Sequence, residues 1–138
     1  MKTHITKRLI KQGDLNHHGT LFAGRAAEWF VETAFIAAAA EVGDSSSILC
    51  LNIHGLVFRN PVHPGEIITI KSRIAAFGNT RIVVHGEITV VNRAIQPIEG
   101  FLTFIYVDGE GKKQLHGRKL DEAADGEEEE IRRRAMLL

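Results

Sequence analysis

The chain has 138 residues, 44% of them hydrophobic, enough for one compact domain with its own core and too few for two ordinary ones. Its 17 lysines and arginines balance 17 aspartates and glutamates, so no global positive field recruits nucleic acid or an anionic membrane surface. The single cysteine, Cys50, excludes an intrachain disulfide. Within the run Ile48-Leu49-Cys50-Leu51 it is expected to be a buried thiol of a cytoplasmic protein, since nothing beside it would lower its pKa and make it a nucleophile.

Residues Thr3 to Ile10 alternate polar and apolar side chains as a strand does, without the continuous apolar stretch of a signal peptide. Lys11 to Thr20 is rich in turn formers and predicts a loop. From Phe22 to Val42 alanine and large apolar residues dominate without proline, which predicts one long helix ended by Gly43. Arg25, Glu28, Glu32 and Glu41 make it a poor membrane span, each costing about 3 kcal/mol near a bilayer centre, so it is expected to be a helix buried against a sheet.

The pattern then turns to β. Ile48 to Phe58 is almost continuously apolar and predicts a strand covered on both faces, closed by the turn Pro61-Val62-His63-Pro64-Gly65. Glu66–Phe77 and Arg81–Val91 alternate and are joined by Gly78-Asn79-Thr80, which reads as a hairpin. Gly100 to Val107 is a fifth strand ending at Asp108-Gly109. Short connections leave no room for crossover helices, so the fold class is α+β, an antiparallel sheet of about five strands wrapped around one long helix. Such a sheet leaves edges uncovered, and dimerisation is expected to cover them. The chain divides into a folded domain, residues 1–120, and a charged helical tail, residues 121–138. In the tail Glu128, Glu129 and Glu130 each stand four residues before an arginine, which predicts an exposed, self-paired helix.

The segment Asn16-His17-His18-Gly19-Thr20-Leu21-Phe22-Ala23-Gly24 carries the chemistry, because a polar loop there runs straight into a helix N-terminus, where backbone N–H groups lack partners. Gly24 lets a carbonyl approach its N–H, which would make an oxyanion site; its other reading is tight packing of helix on strand. Arg25, Glu28 and Glu32 fall on one stripe of the helix, with Arg25 and Glu28 expected to pair on the solvent face. Glu32, two turns into an apolar helix, is expected to be partly desolvated and hence a stronger base. His17 and His18 have no carboxylate or thiol at metal-ligand spacing, so no metal is expected. No P-loop, dinucleotide fingerprint or nucleophile-elbow serine occurs.

The nine residues Asn16 to Gly24 closely resemble the Asn-x-x-Gly-x-x-Phe/His-Gly-Gly signature of hotdog-fold acyl-CoA hydrolases. Phe58-Arg59-Asn60-Pro61-Val62-His63-Pro64-Gly65-Glu66 is similar to that family's Phe-x-x-Pro-Val-x-x-Gly-Asp turn, and Gly78-Asn79-Thr80 to its following hairpin. The resemblance implies a cofactor-independent acyl-CoA thioesterase whose protomers pair sheet edge to sheet edge, with thioester sites between protomers and hexamers as a common assembly. It implies that Asn16 positions the attacking water, that the Gly24 N–H polarises the thioester carbonyl, and that a carboxylate of the partner's helix is base or nucleophile. His17, His18, Phe22, Arg25, Asn79 and Thr80 are then the expected substrate contacts. The chain departs from the pattern at Val31, where these hydrolases carry an Asp; the acid is next door at Glu32, about 100° around the helix. Ala23 replaces the first glycine of the pair, and Arg81 a frequent serine. A hydratase or dehydratase using His17 or His18 with Glu32, and a non-catalytic acyl-CoA binder, are the alternative readings.

Overall fold

The computed structural model describes residues 2–138. The strands β1 (His4–Leu9), β2 (Ile48–His54), β3 (Ile67–Phe77), β4 (Arg81–Val90) and β5 (Arg93–Tyr106) form one antiparallel sheet in the order β1-β3-β4-β5-β2. Helix α1 (Ala23–Val42) crosses its concave face, and a second helix, α2 (Gly126–Met136), lies on the convex face. This is the hotdog arrangement that the resemblance implies.

The alternation of β3 and β4 sets the core. Ile68, Ile70, Ile74, Ile82, Val84 and Ile88 point inward and meet Ala26, Phe30, Ala34, Ala37 and Ala38 of α1. Alanines let the helix lie close, and Gly86 makes room for the one large ring: a Cβ there would stand 2.6 Å from the Phe30 ring. Gly43 takes φ +76° and ends α1, its N–H donating to the Ala39 carbonyl. No described helix is long and apolar enough to cross a membrane.

Three expectations are corrected. The Ile48 to Phe58 run is a strand only to His54, and within one protomer it is an uncovered edge: Leu49, Leu51 and Ile53 are 52%, 59% and 45% exposed, and Cys50 is exposed with them. Strand β5 begins at Arg93, seven residues before the Gly100 start read from the sequence. The tail is not merely solvated and self-paired. Ile131 and Ala135 are buried against Ala75, Ala76, Val83 and Phe101, and Arg134 pairs with Glu99 of β5 rather than with Glu130. Of the three expected i,i+4 pairs, Glu128 to Arg132 is formed, at 2.8 Å.

Candidate active site

The Asn16 loop is held at both ends by backbone bonds. Ile10 N donates to Glu66 O and Gly65 N to Ile10 O, tying the end of β1 to the Pro61–Glu66 turn, and Leu21 N donates to Val62 O from the other side. Arg93 braces that turn by donating to both Glu66 carboxylate oxygens (2.8 and 3.0 Å) and to Pro61 O (2.8 Å). The same guanidinium holds the Glu66 carboxyl below the usual carboxylate range.

Inside the loop, Asn16 Oδ1 accepts from His18 N (2.8 Å) and Thr20 N (3.2 Å), which fixes the amide's orientation and occupies its oxygen. Asn16 Nδ2 donates to Thr20 Oγ1 (3.1 Å), leaving one N–H of the amide to meet a ligand. Gly19 supplies the positive φ, +76°, that turns the chain back. The rings of His17 and His18 lie against each other, tilted by 41° with centroids 3.9 Å apart, and both are exposed.

Helix α1 starts without a side-chain cap. The N–H groups of Arg25 and Ala26 close on Phe22 O, and those of Ala23 and Gly24 have no hydrogen-bond partner among the described residues. Two unpaired donors at the positive end of a 20-residue helix lie where the helix dipole favours negative charge. The packing reading of Gly24 is also answered: what fills the space beside it is the exposed Phe22 ring, 2.6 Å from where a Cβ would stand, and not a strand. Below this junction opens a cleft of about 310 Å³ lined by Asn16, Ala23, Ala26, Phe58, Val62 and Ile98 among others, largely apolar and with Asn16 on its wall.

The acids are placed differently from expectation. Glu32 is not desolvated within a protomer: its side chain is 56% exposed and meets Arg8 of β1 at 3.5 Å. Arg25 pairs with Asp14 (3.8 Å), not with Glu28, and Glu28 is exposed with no ion-pair partner among the described residues. Asn79 and Thr80 sit at the β3–β4 hairpin, and the ten residue steps of β3 put them roughly 33 Å from the Asn16 end of the sheet. One protomer therefore brings Asn16 and Ala23, the neighbour of Gly24, to one cleft, turns Arg25 to a different cleft beside Asp14, and leaves out Asn79 and Thr80. Arg8 and Asp14 are the neighbours that the sequence did not single out; both reach α1 through contacts remote in sequence. Among the described residues no three His, Cys, Asp or Glu side chains are grouped to hold a metal ion.

A family model, the thioesterase superfamily, matches residues 18–94, more than half of the chain, a span that runs from His18 through α1 and strands β2, β3 and β4. The chain belongs to the thioesterase superfamily. The acyl-CoA thioester hydrolase YciA of Escherichia coli (strain K12) is 25% identical over 117 residues, 78% of this chain and 86% of that protein. Among solved structures, an acyl-CoA hydrolase from Staphylococcus aureus, in complex with butyryl coenzyme A and coenzyme A, superposes with a TM-score of 0.83 at 22% identity, covering 98% of this chain and 80% of that one. A hexameric acyl-CoA thioesterase gives 0.83 at 23% identity, covering 98% and 86%.

Proposed function

We propose that this chain hydrolyses acyl-CoA thioesters to the free carboxylic acid and coenzyme A, as a cytoplasmic homo-oligomer. The observation that carries the reading is the pair of unpaired N–H groups at Ala23 and Gly24, with Ala23 and Asn16 lining one largely apolar cleft. The acyl chain lies in the cleft, and its carbonyl oxygen takes the Gly24 N–H, where the helix dipole favours negative charge as the tetrahedral centre forms. Asn16 donates to the attacking water and so orients it. A carboxylate, Glu32 in this proposal, removes the water proton; collapse of the intermediate expels the coenzyme A thiolate. In the covalent variant Glu32 attacks the carbonyl itself, and water then cleaves the mixed anhydride.

Geometry also supports the need for a second protomer. Glu32 lies eight residues beyond Gly24, about 12 Å along the helix axis, too far for both to touch one carbonyl. The partner then supplies the carboxylate. Edge strand β2, with its exposed leucines, is the surface that fits edge-to-edge pairing. Antiparallel pairing of two β2 strands sets the Ile48 end of one against the His54 end of the other, which moves the Asn79–Thr80 hairpin of one protomer toward the Asn16 loop of its partner.

The test is free thiol release from acetyl-, butyryl-, hexanoyl-, palmitoyl- and benzoyl-CoA by the purified protein. Release on any of them that disappears in Asn16→Ala supports the reading; no release on the whole panel overturns it. Val31 at the position of the expected Asp favours one other reading, a non-catalytic acyl-CoA binder, which predicts saturable coenzyme A binding with no turnover.

A further inference from the structure

Strand β1 alternates half-buried and exposed residues, and Arg8 is on the half-buried side, turned toward α1. Its guanidinium carbon lies 4.8 Å from the centre of the Trp29 ring. Trp29 is itself buried, so the guanidinium rests on a fixed surface, as a cation over an aromatic face does. The Arg8 Nε is buried and has no hydrogen-bond partner, an arrangement that costs stability and that the ring contact maintains. Glu32 stands about one turn of α1 beyond Trp29, on the same stripe, and Arg8 Nη2 reaches its Oε1 at 3.5 Å. Glu32 Oε2 has no partner among the described residues. Arg25, one turn before Trp29, is drawn to Asp14 at 3.8 Å and does not compete for Glu32. Glu28, the other exposed acid on this part of α1, has no ion-pair partner among the described residues. Of the two acids, only Glu32 is held.

We infer that Arg8 is a positioning residue for the Glu32 carboxylate, an inference that rests on Glu32 being the carboxylate that activates water. A general base works only within hydrogen-bond reach of the proton it takes. A glutamate on an exposed helix face turns freely about its side-chain bonds, one more of them than the aspartate expected at position 31 would have, and that freedom must be removed before it can act. Arg8 removes it from one side: Nη2 engages Oε1 and leaves Oε2 to face the water. This is the division of labour of a base oriented by a third group. Arginine suits the task where lysine does not, because its planar group stacks on the indole through its face and pairs through its edge, whereas an ammonium is a point charge on a flexible stem. The pair adds little to folding, since both side chains are partly in water; what it fixes is the direction of the carboxylate.

The experiment measures thiol release from the best thioester of the panel above by the native, Arg8→Gln, Arg8→Lys and Glu32→Gln proteins and by the double variant Arg8→Gln/Glu32→Gln. Light scattering and thermal unfolding are followed on the same preparations. The expected result is a kcat lower by roughly 10- to 100-fold in both Arg8 variants, with KM and the oligomeric state held, and no further loss when Arg8→Gln is added to Glu32→Gln. A native rate in Arg8→Lys overturns the inference, because charge alone would then suffice. So do a native rate in Arg8→Gln, a loss that adds in full to that of Glu32→Gln, and a change of oligomeric state that accompanies the loss. The two assignments fail separately. No release by the native protein, or full release by Glu32→Gln, ends the role of Glu32 and that of Arg8 with it, whereas loss in Glu32→Gln beside fully active Arg8 variants ends the role of Arg8 alone.

Discussion

Replacing Glu32 with Gln separates chemistry from stability, because the structure bounds the stability cost. This carboxylate meets Arg8 at 3.5 Å, and the Glu32 and Arg8 side chains are 56% and 36% exposed. Exposed pairs of this kind contribute under about 1 kcal/mol, and Coulomb's law in water gives much the same ceiling, about 1.2 kcal/mol at this distance before salt screens it. The variant should therefore unfold within a few degrees of the native protein, since about 1 kcal/mol moves the midpoint of a domain this size by roughly 2–8 °C. Loss of a general base, by contrast, lowers kcat by about 10²–10⁴-fold, equivalent to roughly 3–5 kcal/mol in the barrier. The assay is thiol release from butyryl-CoA, with thermal unfolding measured on the same preparations. The expected outcome is a kcat reduced by roughly 100-fold or more with KM and the unfolding midpoint little changed. Full activity in Glu32→Gln refutes the assignment, and Glu28→Gln then tests the other acid on the uncovered face of α1.

Asn16→Asp keeps an oxygen for the backbone N–H groups of His18 and Thr20 but removes the spare amide hydrogen; we expect kcat/KM to fall by roughly 10²–10³-fold with the unfolding midpoint held, and a change in both alike would mean that Asn16 only shapes the loop. Val31→Asp, introduced into Glu32→Gln, is expected to return activity in the same thiol assay; no recovery would mean that position 31 does not face the thioester in this chain. Leu51→Lys places a charge on the uncovered β2 edge and is expected to give monomers by light scattering with loss of turnover, whereas an unchanged oligomer would move the interface off β2. Glu128 gives a pH prediction: its carboxyl is pulled down from 4.5 to about 2, first by the Ala124 N–H at 2.8 Å and then by Arg132. A depressed folded-state pKa contributes stability above the unfolded value and loses it as pH falls, so Glu128 contributes at most about 3 kcal/mol at pH 7 and about 1.4 at pH 3. The gap in denaturation midpoint between native and Glu128→Gln proteins should accordingly narrow by more than half between those pH values.

Strands β3 and β4 were legible because a period of two with a Gly-Asn turn leaves little choice of register. The apolar run at β2 was legible as strand but not as edge, since a strand covered by its own chain and one awaiting another chain bury the same residues. The start of β5 was hidden by Pro97, which the strand accommodates where β5 has outrun β2 and has no ladder partner on that side. The docking of α2 rests on Ile131 and Ala135, two residues at four-residue spacing amid seven charges, too short a stripe to outweigh the charge pattern. At the site, the Asn16 loop could be read because its hydrogen bonds close within five residues. The partners of Arg25 and Glu32 could not, because Asp14 and Arg8 are brought to α1 only by the folded sheet.

The neighbouring positions Val31 and Glu32 point about 100° apart around α1, and that difference constrains the assembly. One turn after Val31, Phe35 makes an edge contact with Phe104 of β5, the strand that borders β2, so an acid at position 31 would look toward the β2 edge. Glu32, about 100° farther round, looks toward Arg8 on β1, the other edge of the sheet. A dimer joined through β2 alone would therefore bring position 31 to the partner's Gly24 more readily than position 32. If Glu32→Gln abolishes turnover, the carboxylate must be delivered from the β1 flank, and the active assembly must include a contact there beyond β2 pairing. Leu51→Lys would in that case break the dimer without being the only way to break the site, and a charge reversal at Arg8 would separate the two.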